Sequence, residues 1–262
     1  MTTGWDTLEA RLAAPAAGGP VAVWWRDDDA GRDDPALARL LDLAERHAAP
    51  LALAVVPAWL DAAATARILA CPWATVIQHG YAHRNHAGAG ARKVELGGDR
   101  TVGAVLDELR RGRVRLEAAF GPRFVPVLAP PWNRIDPAVV PHLAAAGYAA
   151  LSVSGGRGGA AAAGAAPGGL ARIDVHLDPI HWRGHRGFVG EAAALGDLLA
   201  ALDSGAAAVG VVSHHLAHDG PGWRFLDRLF GLLAASRGPR VRLAAVGGLL
   251  RPEPAAAFGV AS

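Results

Sequence analysis

Two groups of side chains in this chain have the types and the spacing of a metal site. His79 and His83 stand four residues apart in the stretch Gln78-His79-Gly80-Tyr81-Ala82-His83-Arg84-Asn85-His86. That spacing lets two imidazoles converge on one cation from a single helical turn or a tight loop. Three carboxylates, Asp27-Asp28-Asp29, follow the apolar run Val21-Ala22-Val23-Trp24-Trp25. Strand ends on one side of a parallel sheet share a rim, so carboxylates from a first strand can meet imidazoles from a third. One carboxylate with two imidazoles makes a metal site that keeps coordination positions open. A lone histidine pair on a loop is more often solvated surface. Here nine of the eleven histidines fall into three clusters, His79/His83/His86, His176/His181/His185 and His214/His215/His218. Each cluster follows a predicted strand end, which favours a site.

The elements that must position these groups follow from apolar runs and turn residues. Strands are expected at 21–26, 51–56, 75–78, 124–128, 148–153, 170–175, 207–212 and 240–246, the first seven mostly ending in polar, aromatic or histidine-rich loops. Helices are expected from Trp5 to Ala14, after the Asp33-Asp34-Pro35 cap, from Pro57 to Ala70, and from Thr101 to Phe120. Others should run from Asp136-Pro137 to Gly147, from Glu191 to Leu202, and from Gly222 to Ala235. Ser154 to Gly169 is Gly/Ala-rich and reads as a mobile loop. Strands alternating with helices imply parallel βα units in one layered or barrel-like domain, with chemistry at the carboxyl ends of the strands. Of Trp24 and Trp25, one should be core, because adjacent strand residues point opposite ways.

Composition narrows the function classes. The 262 residues carry a net charge of +2, with 52% hydrophobic and 19% charged residues, as in globular proteins with a substantial core. The arginines are dispersed and no basic run with interleaved aromatics occurs, which argues against nucleic acid. A single cysteine, Cys71, excludes an intramolecular disulfide and a thiolate metal site. No apolar run approaches the roughly 18 residues of a membrane span, and no export signal is visible, so the expectation is a cytoplasmic protein without a membrane partner. Nothing in the sequence sets the oligomeric state.

Taken in order, the motifs resemble those of the NodB-homology, or polysaccharide deacetylase, family (carbohydrate esterase family four and its relatives). The chain shows Asp28-Asp29, His79 to His83, Pro131-Trp132, Asp174 to Trp182, and Val211-Val212-Ser213-His214 in the family's order. The resemblance implies a distorted (β/α)7 barrel in a single catalytic domain, 1–262, with the motif-bearing core at about 21–246. It implies Asp29, His79 and His83 as metal ligands, Asp28 as general base and His214 as general acid. Asp27/Asp28 is the alternative register and His215 the rival acid; Ala30 fits the small-residue slot after the pair and favours Asp28/Asp29. Pro131, Trp132, Tyr81, Asp178, Trp182 and His215 are the expected substrate-binding set. Asp174, His176 and His181 can line the pocket or orient the acid, and Lys93, Glu95 and Arg100 can reach the substrate.

The implied cofactor is a divalent metal, zinc first, with cobalt, nickel, iron or manganese as alternatives. The implied reaction is hydrolysis of the C–N amide bond of an N-acyl sugar or related small metabolite. Three departures from the pattern stand out. Gly80 replaces the Ser/Thr that follows the first histidine. Ala129 replaces the arginine that orients the base, a role open to Arg26 or Arg134. The export signal of secreted sugar deacetylases is missing. A catalytically degenerate glycan- or metabolite-binding member of the same fold is therefore the competing reading, and a non-haem iron oxygenase ranks last.

Overall fold

The computed structural model describes residues 4–14, 19–155, 169–236, 238 and 240–250. Among these residues, eight parallel strands form one sheet: β1 (Val21–Ala30), β2 (Leu51–Val55), β3 (Ala74–His79), β4 (Phe124–Ala129), β5 (Ala150–Leu151), β6 (Ala171–Arg172), β7 (Ala208–Ser213) and β8 (Val241–Leu243). Their order is β6-β5-β4-β3-β2-β1-β7, and β8 pairs with the start of β1. The chain beyond β6 completes the ring. Val175 N donates to Val153 O, while His176 N and Leu177 N both donate to Gly210 O of β7. Strands one to seven therefore follow one another around a distorted (β/α) barrel in a single domain, as expected. The Gly/Ala-rich loop expected at 154–169 lies largely outside the described residues.

Among the described residues, six helices surround the sheet: α1 (Gly4–Ala13), α2 (Pro35–Arg46), α3 (Ala62–Ala70), α4 (Val102–Phe120), α5 (Glu191–Asp203) and α6 (Gly220–Ala235). Their starts are set by local chemistry. Asp34 Oδ1 accepts from Ala36 N and Leu37 N ahead of Pro35, and Thr101 caps α4 through Ala104 N. Two expected helices differ. Pro57 opens only a 3-10 turn, Pro57–Trp59, and the chain stays extended until Asp61 caps α3. The turn itself carries Trp59. The segment after Pro137 forms only a 3-10 turn, Val140–His142, because Pro141 lacks an amide donor and disfavours helical backbone just before it.

The barrel is apolar on both faces. Trp24, Ala52, Ile77, Val127, Ile173 and Val212 fill its interior. Trp25, Leu53, Val76 and Val211 face the helices, where Trp25 stacks on Phe230 with centroids 4.0 Å apart. Both tryptophans are thus core, at 1% exposure each, on opposite sides of one doubly covered strand. Among the described residues, no helix is long and apolar enough to cross a membrane.

Gly210 is the tightest point of the closing seam. A Cβ there would lie 2.6 Å from Asp174 O, 2.7 Å from Trp24 Nε1 and 2.8 Å from Val175 Cα. Gly210→Val is expected to cost about 1–3 kcal/mol of stability by overpacking, read as a lowered urea midpoint. An unchanged midpoint would mean that the seam is not closed as described.

Candidate active site

β1 presents its residues to both faces by simple alternation. Trp24, Arg26 and Asp28 point into the barrel, and Trp25 and Asp27 point toward the helices. Asp29 should then join Asp27, but its backbone adopts a left-handed φ of 71°, and the pairing with β2 slips between Asp27 and Ala30. That turn puts two consecutive carboxylates, Asp28 and Asp29, at one mouth. Asp29 Oδ1 lies 3.3 Å from His79 Nε2 and 3.2 Å from His83 Nε2. The three ligand atoms fall within 4.8 Å of one another.

His79 ends β3, and its Nδ1 donates to the Ala129 carbonyl at 2.8 Å, which directs Nε2 at Asp29. His83 comes around a loop built on Gly80, whose φ is 56°. A Cβ on residue 80 would sit 1.9 Å from Glu95 Oε2 and 2.8 Å from Pro131. Only glycine leaves room for the Glu95 carboxylate, which accepts from the amides of Tyr81 (3.2 Å), Ala82 (2.7 Å) and Arg84 (3.4 Å). Glu95 is fully buried and braces the loop instead of reaching a substrate. The rings of Trp59 and Trp132 stand 5.5 and 4.5 Å from that of His83. Asp29, His83, Trp132 and Asn133 all have positive φ, a concentration of strained backbone at the mouth.

The charges are strongly coupled. Burial alone would raise the Asp29 carboxyl, but the hydrogen bond and charge of His79, with His214 and His83, hold it well below the usual range. Burial opposes the charged form of His79, yet Asp28 and Asp29 raise its pKa. His83 is lowered, by burial and by the charge of His79. Asp29 Oδ1 is buried without a well-formed hydrogen bond. A carboxylate and two imidazole nitrogens around such an atom fit a small divalent cation as donor set.

Of the two arginines considered as partners of Asp28, Arg26, two residues earlier on β1, makes the contact. Arg26 is fully buried and pairs with Asp28: Nη2 donates to Oδ2 at 3.0 Å, while Nε lies 2.8 Å from Oδ1 as an ion-pair contact without hydrogen-bond geometry. Its Nη1 donates to Ser152 Oγ (2.7 Å) and Ser152 O (3.1 Å), and Nη2 also donates to Asn133 Oδ1 (2.8 Å). Arg134 instead donates to the Lys93 carbonyl.

His214 Nε2 lies 3.7 Å from Asp28 Oδ2, and its Nδ1 is buried without a partner. The ring meets that of Trp182 edge-on at 4.7 Å, and Trp182 is held by donation from Nε1 to Asp178 Oδ2 at 2.8 Å. His215, expected among the substrate-binding residues, is 2% exposed on the helix side of β1. Its Nδ1 bonds Asp27 Oδ1, Ser213 Oγ donates to Asp27 Oδ2, and its Nε2 is 3.7 Å from Asp34 Oδ2. Burial works against its charged form, but Asp27 outweighs this and raises its pKa. His218 accepts from His214 N, and burial pushes it down to about 4.

Other expectations need correction as well. Tyr81 turns its ring to Arg111 of α4, 5.3 Å away, and not to the cluster. Asp174 pairs with Arg172 and accepts from Val153 N, while His176 Nδ1 accepts from Gly210 N. His181 and His185 are exposed and pack on each other. Arg100 pairs with Glu108. Trp59 and Ser152 carry no signal in the sequence, since their link to the site depends on long-range contacts.

No protein-family profile and no curated protein matches this sequence. Solved structures do match in fold. The peptidoglycan deacetylase PdaC from Bacillus subtilis is 13% identical, with TM-score 0.56 over 88% of this chain and 90% of that one. The family 4 carbohydrate esterase from Streptomyces lividans, solved with acetate, is 13% identical, with TM-score 0.51 over 87% and 100%. A CE4-family pseudoenzyme from Bacillus anthracis is 16% identical, with TM-score 0.57 over 88% and 66%. The chain therefore has the fold of the CE4 polysaccharide deacetylases.

Arg26→Ala would strand the Asp28 carboxylate in the barrel. We expect a loss of about 3–5 kcal/mol in denaturant titration, the scale for breaking a buried pair. Arg26→Met with Asp28→Asn should recover a large part of it. Equal losses in the single and double variants would show that the pair itself is not the determinant.

Proposed function

We propose that this chain is a metal-dependent hydrolase of the deacetylase type, acting on the C–N amide bond of an N-acyl sugar or related small metabolite. The observation that carries this reading is the Arg26-gripped Asp28 carboxylate standing between the Asp29/His79/His83 cluster and His214. Asp29 Oδ1, His79 Nε2 and His83 Nε2 would hold the cation, zinc by preference because nitrogen and oxygen donors with an open position suit it. When bound, such an ion acts as a Lewis acid and makes a coordinated water far more acidic.

The remaining work falls to the chain's own residues. Arg26 fixes the direction of the Asp28 carboxylate, and Asp28 takes the proton of the attacking water. His214, as imidazolium, gives a proton to the departing nitrogen, with Trp182 limiting its rotation and its contact with water. Trp132 offers a face on which a sugar ring can rest.

The competing reading is a binding protein without turnover. The fold does not discriminate, since a pseudoenzyme shares it as closely as the named enzymes do. The retained Arg26–Asp28 pair favours turnover, because a protein that only binds has no need of an oriented buried base.

Metal analysis of purified protein is expected to give about one divalent ion per chain, with most of it lost in His79→Ala and His83→Ala. Unchanged metal content in both variants would remove the cluster from the reading.

Asp28→Asn should keep the metal and abolish hydrolysis of N-acetylated sugars. His214→Ala should lower kcat by about 10²-fold or more with metal retained. His215→Ala should act through stability, seen as a lowered Tm. Loss of metal in Asp28→Asn but not in Asp29→Asn would shift the register by one residue. Binding of acylated sugars with no turnover across several metals would select the binding protein.

A further inference from the structure

The side of the mouth formed by Trp132 is bordered by cations. Segments 92–96 and 132–136 lie side by side, tied by Arg134 Nη1 donating to Lys93 O and Asp136 N donating to Leu96 O, both at 2.8 Å. Lys93 Nζ stands 5.8 Å over the Trp132 ring, which itself packs on His83. Arg92 is next in the chain, and Arg183 follows Trp182 on the loop that covers His214.

Nearby acids do not neutralise this rim. Glu95 is consumed by three backbone amides, and Asp136 Oδ1 accepts from Ala138 N. Arg134 Nε is buried without a hydrogen-bond partner, and among the described residues Arg92, Lys93, Arg134 and Arg183 form no ion pair. Burial, with the charges of Arg92 and Arg183, holds the Arg134 pKa below the usual arginine range. Like charges gathered beside a cavity raise the local concentration of anions and favour their entry.

We propose that this rim binds the oxyanion of a negatively charged saccharide, with the sugar ring on Trp132 and its carboxylate or phosphate on Arg134 and Lys93. The guanidinium offers donors in a planar fork that matches either group, and the ammonium adds a mobile point charge. A neutral sugar would use the aromatic face and leave the cations unrelieved. The position of the acyl group rests on the hydrolase reading above, whereas the anion preference does not.

The test measures binding of three probes by calorimetry on the metal-loaded full chain: N-acetylglucosamine, N-acetylmuramic acid and N-acetylglucosamine 1-phosphate. At least one acidic probe should bind about tenfold or more tighter than the neutral one, the ratio that one charge-assisted hydrogen bond supplies. In Lys93→Ala/Arg134→Ala that ratio should collapse toward one, and Arg134→Lys should retain part of it. A general structural defect would weaken all three probes alike and leave the ratio unchanged, which would overturn the proposal. A ratio near one in the wild type, or no binding of any probe, would overturn it equally. The acidic probe that binds tighter identifies the oxyanion as carboxylate or phosphate. Anion preference without hydrolysis of any probe would sink the hydrolase reading and leave this one standing.

Discussion

A guanidinium buried at the inner end of the mouth organises this site. Arg26 cannot reach water, so every one of its charged donors needs a partner inside the barrel, and a carboxylate two residues along the same strand face supplies the countercharge. The remaining donors go to Ser152 after β5 and Asn133 after β4. One side chain thereby ties together the ends of three strands and fixes the orientation of Asp28. At position 129 it is the backbone carbonyl that His79 uses, so an alanine suffices there.

The other face of β1 carries a second polar network. Asp27 collects Ser213 and His215 from the end of β7, and His215 reaches on toward the cap of α2. This network binds the strand that bears Asp28 to the strand that bears His214. The two histidines, adjacent in sequence, serve opposite layers. His214 looks into the mouth beside Asp28, and His215 is sealed among helices.

The loops at the mouth are braced from within. Glycine at position 80 makes room for the Glu95 carboxylate, which gathers the loop amides and so supports the turn to His83. The 3-10 turn at Pro57 keeps the following segment extended and leaves Trp59 against His83. Two tryptophans thus flank the half-buried histidine of the cluster, limiting its motion and shielding it from water.

Much of the architecture was legible in the sequence. Short apolar runs ended by polar knots, separated by capped helical patterns, determined a parallel βα barrel with its polar residues at one rim. The four-residue step from His79 to His83 and the run of aspartates determined which groups could meet there. Tertiary structure alone decided how they meet. Alternation along a strand assigns Asp28 and Asp29 to opposite faces, and only the left-handed backbone at Asp29 brings both to the mouth. The partners of Arg26, 107 and 126 residues away, have no sequence signal, because their pairing depends on neighbouring strand ends. The same holds for His215: its type suited a site, but it opens the 3-10 turn after β7 and packs in the helix layer, where Asp27 was already buried.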